Sequence, residues 1–349
     1  MNPERRPPIS WPAISHLGIG DGGTTAAVAV ATALLSGLAT RALIPILRRH
    51  NVLDCPNERS SHNAPTPRGG GIALVGTVLL GWLALRQAGR VSPAILGISL
   101  GTGLLAIVCW IDDLRGLSPV TRLAAQSAAV AIGLYALPAT HNALQAWLGP
   151  VAYFAAAGVL WIWWVNLFNF MDGIDGLAGS EAAAIGGGLL LFAAVGSGAD
   201  PAMALLAAAI LGGALGFLLW NWSPAQIFLG DIGSVPVGYL TGFLLIDVAA
   251  RGHWKISLIV PLYFLTDATV TLLHRLMLGE RVWQPHRRHY YQRAVYRGLG
   301  HAAVVRRVIA ANLLLIGCGW AAENGWGAVA LGAAAAIVAA LLAALARGR

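Results

Sequence analysis

The chain has 349 residues, of which 57% are hydrophobic and only 11% are charged, and its net charge is +8. A soluble domain of this size could not bury so much apolar surface, so composition excludes the soluble classes and indicates a membrane protein. The cations flank apolar runs and form no stripe interleaved with aromatic residues. We therefore expect no nucleic-acid partner, and the lipid bilayer explains the basic balance.

Eleven apolar runs are candidates to cross a bilayer, since a spanning helix takes about 20 mostly apolar residues. We predict an all-α polytopic membrane protein with about 10 to 11 transmembrane helices, the fourth run being the weakest. Residues 1–23 are expected to form a polar N-terminal tail, not a removed signal peptide, before a single integral-membrane domain at 24–346. The predicted spans are 24–47, 70–87, 91–111, 121–138, 150–168, 177–196, 201–220, 232–249, 255–275, 303–321 and 325–346.

The arginines predict the orientation of these spans. If the N-terminus lies outside and the spans alternate, most arginines fall in inner loops, as the positive-inside rule requires. All three acidic runs of the chain then lie on the cytoplasmic side as well, which predicts a site facing the cytoplasm. Five inner loops are available to build it, namely 48–69, 112–120, 169–176, 221–231 and 276–302.

The first inner loop ends in Arg68 followed by three glycines, Gly69 to Gly71, just before the second predicted span. A glycine-rich turn beside one cation suits a phosphate group. The alternative is an ordinary rigid loop set by Pro65 and Pro67.

Asp112 and Asp113 end the third predicted span. Adjacent helical residues point about 100° apart, so this pair cannot form a single bidentate clamp. We expect one carboxylate to face a metal or an acceptor and the other to meet Arg115 or Arg122. A solvated acid pair at the end of a span is the alternative.

The third inner loop carries a polar residue at every third position, namely Asn166, Asn169, Asp172 and Asp175. On a helix this spacing forms a slanted stripe, and Gly173 and Gly176 permit close approach of a ligand. Such a group suits a nucleotide or a hard cation such as Mg²⁺. The alternative is an Asx-rich turn that caps the sixth span.

The fourth inner loop runs from Asn221 to Ser234 and contains Asp231 between two glycines, Gly230 and Gly233. This arrangement leaves the carboxylate free of neighbouring bulk. It also leaves the backbone N–H groups of a helix start able to meet phosphate oxygens.

The fifth inner loop is basic and places His286 and His289 around two arginines. These side chains can hold a diphosphate and tune proton transfer near neutral pH. Simple positive-inside anchoring is the alternative. Asp267, in the ninth span, is expected either to pair with Arg275 or His274 or to take a direct catalytic role.

Taken together, these motifs resemble the polyprenyl-phosphate N-acetylhexosamine-1-phosphate transferases, the MraY/WecA-like family. The resemblance covers most of the chain, from Ser60 to Arg293. It rests on five motifs in order: Pro-Thr-Pro-Arg-Gly-Gly-Gly, Asp-Asp-Leu, Asn-x-x-Asn-x-x-Asp-Gly-x-Asp-Gly-Leu, Asn-x-x-Pro-Ala with Gly-Asp-x-Gly-Ser, and a histidine loop.

The resemblance implies an Mg²⁺-dependent phosphotransferase of the bacterial cytoplasmic membrane, with Mn²⁺ as the alternative cation. Such an enzyme transfers a sugar 1-phosphate from a UDP-N-acetylhexosamine to undecaprenyl phosphate and releases UMP. The implied metal ligands are Asp231 and Asp112. The implied catalytic residues are Asp112, Asp113, Asp231, His286 and His289. The implied nucleotide-sugar ligands are Arg68, Asn169, Asp172, Gly173, Asp175 and Asn221.

The histidine loop departs from the commonest patterns of the family, because it reads His286-Arg-Arg-His289-Tyr-Tyr-Gln. In this it resembles the WbpL-like branch, which implies a 6-deoxy N-acetylhexosamine donor and the initiating step of O-antigen or other surface polysaccharide synthesis. The alternatives are UDP-GlcNAc or UDP-MurNAc-pentapeptide as donor. A homodimer is left open.

An ion-coupled transporter is the rival from another class. It would place its acids near mid-bilayer, usually with inverted halves or broken helices, whereas the acids here gather at one boundary. Two structural expectations accompany the transferase interpretation. Trp161, Trp163 and Trp164 should form an interfacial belt, and the Ala/Gly-rich run 181–216 should provide close packing between membrane helices.

Overall fold

The computed structural model describes residues 21–56, 64–137, 148–196, 200–281 and 286–348, together with Gln145. Most of the predicted N-terminal tail, and parts of the first and fifth inner loops, lie outside these residues. The α-helices of the described chain are α1 (Asp21–Arg49), α2 (Gly71–Gln87), α3 (Ala94–Arg115), α4 (Pro119–Ala136), α5 (Pro150–Phe170), α6 (Leu177–Val195), α7 (Pro201–Asn221), α8 (Asp231–Ala250), α9 (Trp254–Ile259), α10 (Leu262–Met277), α11 (Tyr290–Tyr296), α12 (His301–Ala321) and α13 (Gly327–Arg347).

Seven helical segments of the described chain are long and apolar enough to cross a membrane: α1, α3, α5, α6, α7, α8 and the stretch from His301 to Arg347. That last stretch is broken by non-helical dihedral angles at Asn324 and Gly325, so it forms two helices, α12 and α13. The protein is therefore an all-α polytopic membrane protein. Helices α2 and α4 are not among the seven: α2 is apolar but has only 17 residues, and α4 corresponds to the weakest predicted span.

The ninth predicted span, 255–275, differs from the structure. The chain forms the short helix α9 and then the separate helix α10, which begins after Pro261. Proline lacks the N–H group that a continuous helix needs and its ring crowds the preceding turn, which explains the break.

Helices α5 and α8 pack through tryptophans, so the predicted interfacial belt is wrong for Trp161 and Trp164. Both side chains are buried. The Trp161 indole donates to the carbonyl oxygen of Tyr239 at 3.0 Å, and the two rings stack with centroids 4.8 Å apart. Trp164 donates to Thr241 Oγ1 at 3.1 Å. A tryptophan whose N–H finds a partner can lie in the core.

Helices α1 and α7 pack through small residues, which confirms the expectation for the Ala/Gly-rich run. A Cβ atom at Gly212 or Gly216 would collide with the backbone carbonyl groups of Ala29 and Ala33. Glycine at these two positions therefore permits the close approach of the two helices.

The loops at one end of the bundle are tied to one another. Strand β1 (Leu53–Asp54) pairs antiparallel with β2 (Thr66–Pro67), and Arg68 forms a β-bridge with Phe228. At the other end, Arg251 forms a salt bridge with Asp200 at 3.1 Å. The helices thus alternate in direction, and the motif-bearing loops share one end.

Candidate active site

The glycine-rich turn holds the first and fourth inner loops together. The N–H groups of Gly69 and Gly70 donate to the Phe228 carbonyl oxygen at 3.1 and 2.9 Å, and Gly71 N–H donates to Leu229 O at 2.9 Å. A Cβ atom at Gly71 would collide with the backbone of Gly233. These amides do not form the predicted phosphate cradle, because the chain itself occupies them.

Asp113 anchors the start of α8. Its carboxylate accepts hydrogen bonds from the N–H groups of Asp231 and Ile232 at 3.3 and 3.1 Å. It also pairs with Arg68 Nη2 at 2.7 Å, and its side chain is only 2% exposed. The helix-start amides expected to meet phosphate are thus occupied by a carboxylate, which the positive end of a helix stabilises.

Asp231 forms an acidic cluster with Asp112, Asp113 and Asp172. Its carboxylate is more open than that of Asp113, with 23% of the side chain exposed. Its Oδ1 atom accepts from Arg68 Nη2 and from Asn169 Nδ2, both at 3.1 Å. Asn169 also donates to Ser234 Oγ at 2.8 Å. The second, third and fourth inner loops therefore meet at Asp231 and its neighbour Asp113, and Arg68 adds the first.

Asp112 points away from Asp113, as the geometry of adjacent helical residues requires. Its carboxylate lies 3.4 Å from Arg122 Nη1 and accepts a hydrogen bond from the N–H of Leu117. The same Arg122 nitrogen lies 4.0 Å from Asp231 Oδ2. Arg122, one of the two partners expected for this pair, therefore lies between two carboxylates.

Asp172 adds a fourth carboxyl group to the same cluster. Burial and the neighbouring carboxylate of Asp231 raise the pKa of Asp172 well above its ordinary value, while Arg68 opposes the rise. For Arg68, burial lowers the pKa, but Asp113 and Asp231 outweigh that effect and raise it overall. The guanidinium therefore stays charged and is held by acids from two helices.

The residues fit a hard divalent cation by their chemistry. Carboxylate oxygens are the ligands that Mg²⁺ prefers, and oxygens of Asp112 and Asp231 already face one cationic nitrogen between them. Within the described residues, no group of three or more His, Cys, Asp or Glu side chains is arranged to hold a metal ion. A cation here would thus complete its shell with oxygens from water or substrate.

Asp175 and Asn221 make hydrogen bonds that hold together the loops next to this cluster. Asp175 Oδ2 lies 3.2 Å from His301 Nδ1 and accepts from the N–H of Ala225 at 3.2 Å. Burial would raise the pKa of Asp175, but the hydrogen bonds and charge of His301 bring it below its ordinary value. Asn221 accepts from Gly176 N–H at 3.0 Å and donates to Ile227 O at 2.9 Å.

The histidine loop contacts helix α10 through the carboxylate of Asp267. The carboxylate lies 3.2 Å from His289 Nδ1 and accepts from the N–H of Tyr290 at 3.0 Å. The pairing with Arg275 or His274 considered from sequence is wrong: Arg275 instead pairs with Glu280 at 3.0 Å. Fold-back of the loop after α10 brings His289 to Asp267, which spacing along one helix could not show.

His286 lies beside His289, with ring centroids 4.8 Å apart. Burial, then the nearby His289 and Arg275, lower the pKa of His286 to about 4. This side chain is therefore uncharged at neutral pH, and it can donate or accept a hydrogen bond without adding charge to the site.

The histidine loop also touches the third inner loop. The hydroxyl of Tyr291 donates to the Phe170 carbonyl oxygen at 2.9 Å. A Cβ atom at Gly173 would collide with that same hydroxyl. Gly173 thus permits the histidine loop to pack against the turn that carries Asn169 and Asp172.

Sequence reasoning missed His301 and Tyr291 as residues of this region. His301 is the first residue of α12 and Tyr291 the second of α11. Neither position carries a local signal, since each reaches its partner only through contacts between distant segments.

The predicted polar stripe that starts at Asn166 does not act as one group. Asn169 and Asp172 join the acidic cluster. Asn166 instead donates to Gln126 Oε1 at 2.6 Å, and Asp175 faces His301.

Comparisons with known proteins agree with the motifs. Residues 95–249 match the family model described as glycosyl transferase family 4. A probable undecaprenyl-phosphate N-acetylglucosaminyl 1-phosphate transferase of Bacillus subtilis is 27% identical over 285 residues, covering 77% of each chain. A phospho-N-acetylmuramoyl-pentapeptide-transferase of Synechococcus elongatus is 32% identical over 68% of this chain and 69% of its own. The Mycobacterium leprae protein of that name is 30% identical over 74% and 86%.

Proposed function

Because the chain belongs to glycosyl transferase family 4, in its MraY/WecA-like group, we propose that it transfers a sugar 1-phosphate from a UDP-sugar to undecaprenyl phosphate. UMP and undecaprenyl-diphospho-sugar are the products. One observation carries the proposal: the carboxylates of Asp113 and Asp231, from two different loops, share the Arg68 guanidinium at 2.7 and 3.1 Å.

Charge neutralisation is the main task of the protein in phosphoryl transfer, because the transferring phosphoryl group, the attacking oxygen and the leaving oxygen all carry negative charge. Arg68 and Arg122, which pair with acids of the cluster, would also meet phosphate oxygens of the substrates. Asp231 and Asp112 would hold Mg²⁺, or alternatively Mn²⁺. When bound, such a cation would supply Lewis-acid neutralisation of the diphosphate.

A direct in-line displacement suits these residues. An oxygen of the lipid phosphate attacks the sugar-bearing phosphorus, and the bond from that phosphorus to the UMP oxygen breaks. The lipid phosphate is already an anion, so no strong general base is required. A covalent phosphate on Asp113 is disfavoured because its two oxygens accept from Arg68 and from the amides at the start of α8.

The donor nucleotide would lie against the third inner loop. Asn169 and Asp172 belong to the acidic cluster, whereas the open side of Gly173 is occupied by the Tyr291 hydroxyl and leaves no room there for a ligand. Asp175 and Asn221, whose polar atoms bond within the chain, would shape the wall of this site. His286 and His289 would contact the diphosphate, with His286 uncharged at neutral pH because its pKa is about 4.

The sequence of the histidine loop supports a 6-deoxy N-acetylhexosamine donor and a role in starting O-antigen or other surface polysaccharide synthesis. The relatives favour two alternatives, an N-acetylglucosamine donor and an N-acetylmuramoyl-pentapeptide donor. The arginines at the site-bearing end support a cytoplasmic site in the bacterial inner membrane. Arg68 and Arg122 are two of these.

The test is UMP release by purified protein in detergent or nanodiscs. It uses a panel of UDP-N-acetylhexosamines, including 6-deoxy forms, with and without undecaprenyl phosphate and with Mg²⁺ or a chelator. We expect release that needs both lipid and Mg²⁺ and that is fastest with one donor. Uptake of a UDP-sugar into vesicles without UMP release would contradict the proposal and favour the transporter.

A further inference from the structure

We propose that Asp267 is the positioning residue of the histidine loop: its buried carboxylate fixes the ring orientation and the tautomer of His289. The structural part of this inference stands on contacts alone. The kinetic part rests on the proposed transfer reaction, in which His289 contacts the diphosphate.

One carboxylate holds both the imidazole ring and the backbone beside it. Asp267 Oδ1 lies 3.2 Å from His289 Nδ1 and accepts from Tyr290 N–H at 3.0 Å, while Oδ2 accepts from Tyr291 N–H at 3.4 Å. Asp267 is fully buried and His289 is 3% exposed. The loop therefore cannot move its histidine without breaking backbone hydrogen bonds to the same acid.

The carboxylate is itself held in place by its own helix. Tyr263, one turn earlier on α10, donates its hydroxyl to Oδ2 at 3.3 Å. Thr271, one turn later, donates to Oδ1 at 3.3 Å. Two hydroxyl groups thus orient Asp267, which in turn orients His289.

These contacts assign the tautomer. An ionised carboxylate only accepts hydrogen bonds, so the contact with Asp267 favours the tautomer in which His289 Nδ1 carries the hydrogen. The lone pair of a neutral ring is then on Nε2. An orienting acid behind a histidine selects its tautomer and direction in many active sites. At metal-bound histidines, loss of such a partner costs roughly 10- to 100-fold in metal affinity or activity.

A footprint tests the structural part without any substrate. Diethylpyrocarbonate modifies accessible imidazole nitrogens, and mass spectrometry reports the rate for each histidine. Asp267→Ala should raise the modification rate of His289 several-fold, because the ring loses the acid that holds it in its buried position. The matched control is Asp247→Ala, which removes another buried acid whose partner is Arg251. It should leave the His289 rate unchanged.

His253, paired with Glu323 at the opposite end of the bundle, serves as the internal reference for global unfolding. If Asp267→Ala unfolds the protein, the His253 rate rises too, and the isosteric Asp267→Asn replaces it. An unchanged His289 rate in a variant with an unchanged His253 rate would overturn the proposal.

A double-mutant cycle tests the kinetic part. Asp267→Asn should lower kcat for UMP release by about tenfold with a smaller change in KM, because it disturbs orientation more than binding. In the His289→Ala background the same substitution should change kcat less than twofold, since its effect passes through His289.

A tenfold loss in both backgrounds would overturn the positioning role. Absence of UMP release from every variant and from the wild-type protein would instead count against the proposed function, and the footprint would still decide the structural claim.

Discussion

The two ends of the helix bundle both bury charged side chains, but they pair them differently. At the end opposite the site, Arg251 joins Asp200 at 3.1 Å and Asp247 at 2.9 Å, and His253 joins Glu323 at 2.9 Å. These pairs connect neighbouring helix ends. They hold the chain together at that end of the bundle.

At the site end, the acids come from three inner loops and gather around shared cations. The carboxylates of Asp112, Asp113 and Asp231 lie against two guanidinium groups, Arg68 and Arg122, and Asp172 adds a fourth acid. Carboxylates gathered at a membrane boundary are costly and indicate function. Comparison of the two ends shows that carboxylates collected from several loops mark a site, whereas buried charge alone does not.

Cation binding should separate the two ends most strongly. Asp231→Asn should weaken Mn²⁺ binding by about a hundredfold, because ligand charge sets the affinity of oxygen sites for hard cations. Asp247→Asn should leave it unchanged. Electron paramagnetic resonance titration of free Mn²⁺ measures the affinity of both variants. Equal affinity in the two variants would contradict a cation site at Asp231.

The arginines should separate function from stability. Arg68→Ala should lower kcat/KM for UMP release by about a hundredfold, since a positioned cation on the transferring group is lost. Arg251→Ala should leave kcat intact and lower the free energy of unfolding by about 2 kcal/mol, because two acids lose their partner. Steady-state kinetics and thermal unfolding of both variants check this, and an active, destabilised Arg68→Ala would contradict it.

The contact between Gly173 and Tyr291 is expected to hold the histidine loop in position at the site end. Gly173→Ala forces its Cβ against the Tyr291 hydroxyl, a strain of about 1–3 kcal/mol. Displacement of the histidine loop should then lower kcat/KM by about tenfold. Adding Tyr291→Phe removes the hydroxyl and should restore part of the loss. A double variant as impaired as Gly173→Ala alone would refute this contact as the cause.

The smallest effect expected is on the pH dependence of stability. The pKa of His286 is about 4 in the folded protein and about 6.5 in an unfolded chain. A folded pKa below the unfolded value gives stability that is present above pH 6.5 and is lost as pH falls toward 4. His286→Gln should flatten the fall in melting temperature over this window. The exposed His50 provides the control as His50→Gln, and an unchanged slope in His286→Gln would contradict the pKa assignment.

Most spans and the shared end of the motif-bearing loops could be predicted from sequence, because apolar runs and arginine placement depend only on local composition. The second, fourth and ninth predicted spans are not among the seven helical segments long and apolar enough to cross a membrane. The partners of individual side chains could not be predicted. Asp113 occupies the amides that the Gly-Asp-x-Gly motif was expected to offer to phosphate, and Asp267 meets His289, 22 residues away. Such pairings follow from how helices pack and loops fold back, which no spacing rule encodes.

The positions of the tryptophans also depend on how the helices pack. Three of them within four residues near a span end are typical of an interfacial belt, yet Trp161 and Trp164 are core residues. Each finds a hydrogen-bond acceptor on α8. That acceptor exists only once α5 and α8 are packed, so the sequence of α5 alone could not indicate it.

The most direct test of the central claim, that the acidic cluster at one end is a phosphosugar transferase site, is UMP release measured side by side in three proteins. The wild-type protein and Asp200→Asn should both release UMP with undecaprenyl phosphate, Mg²⁺ and the preferred UDP-sugar, whereas folded Asp231→Asn should lose the activity. Equal UMP release by Asp231→Asn and the wild-type protein would contradict the account.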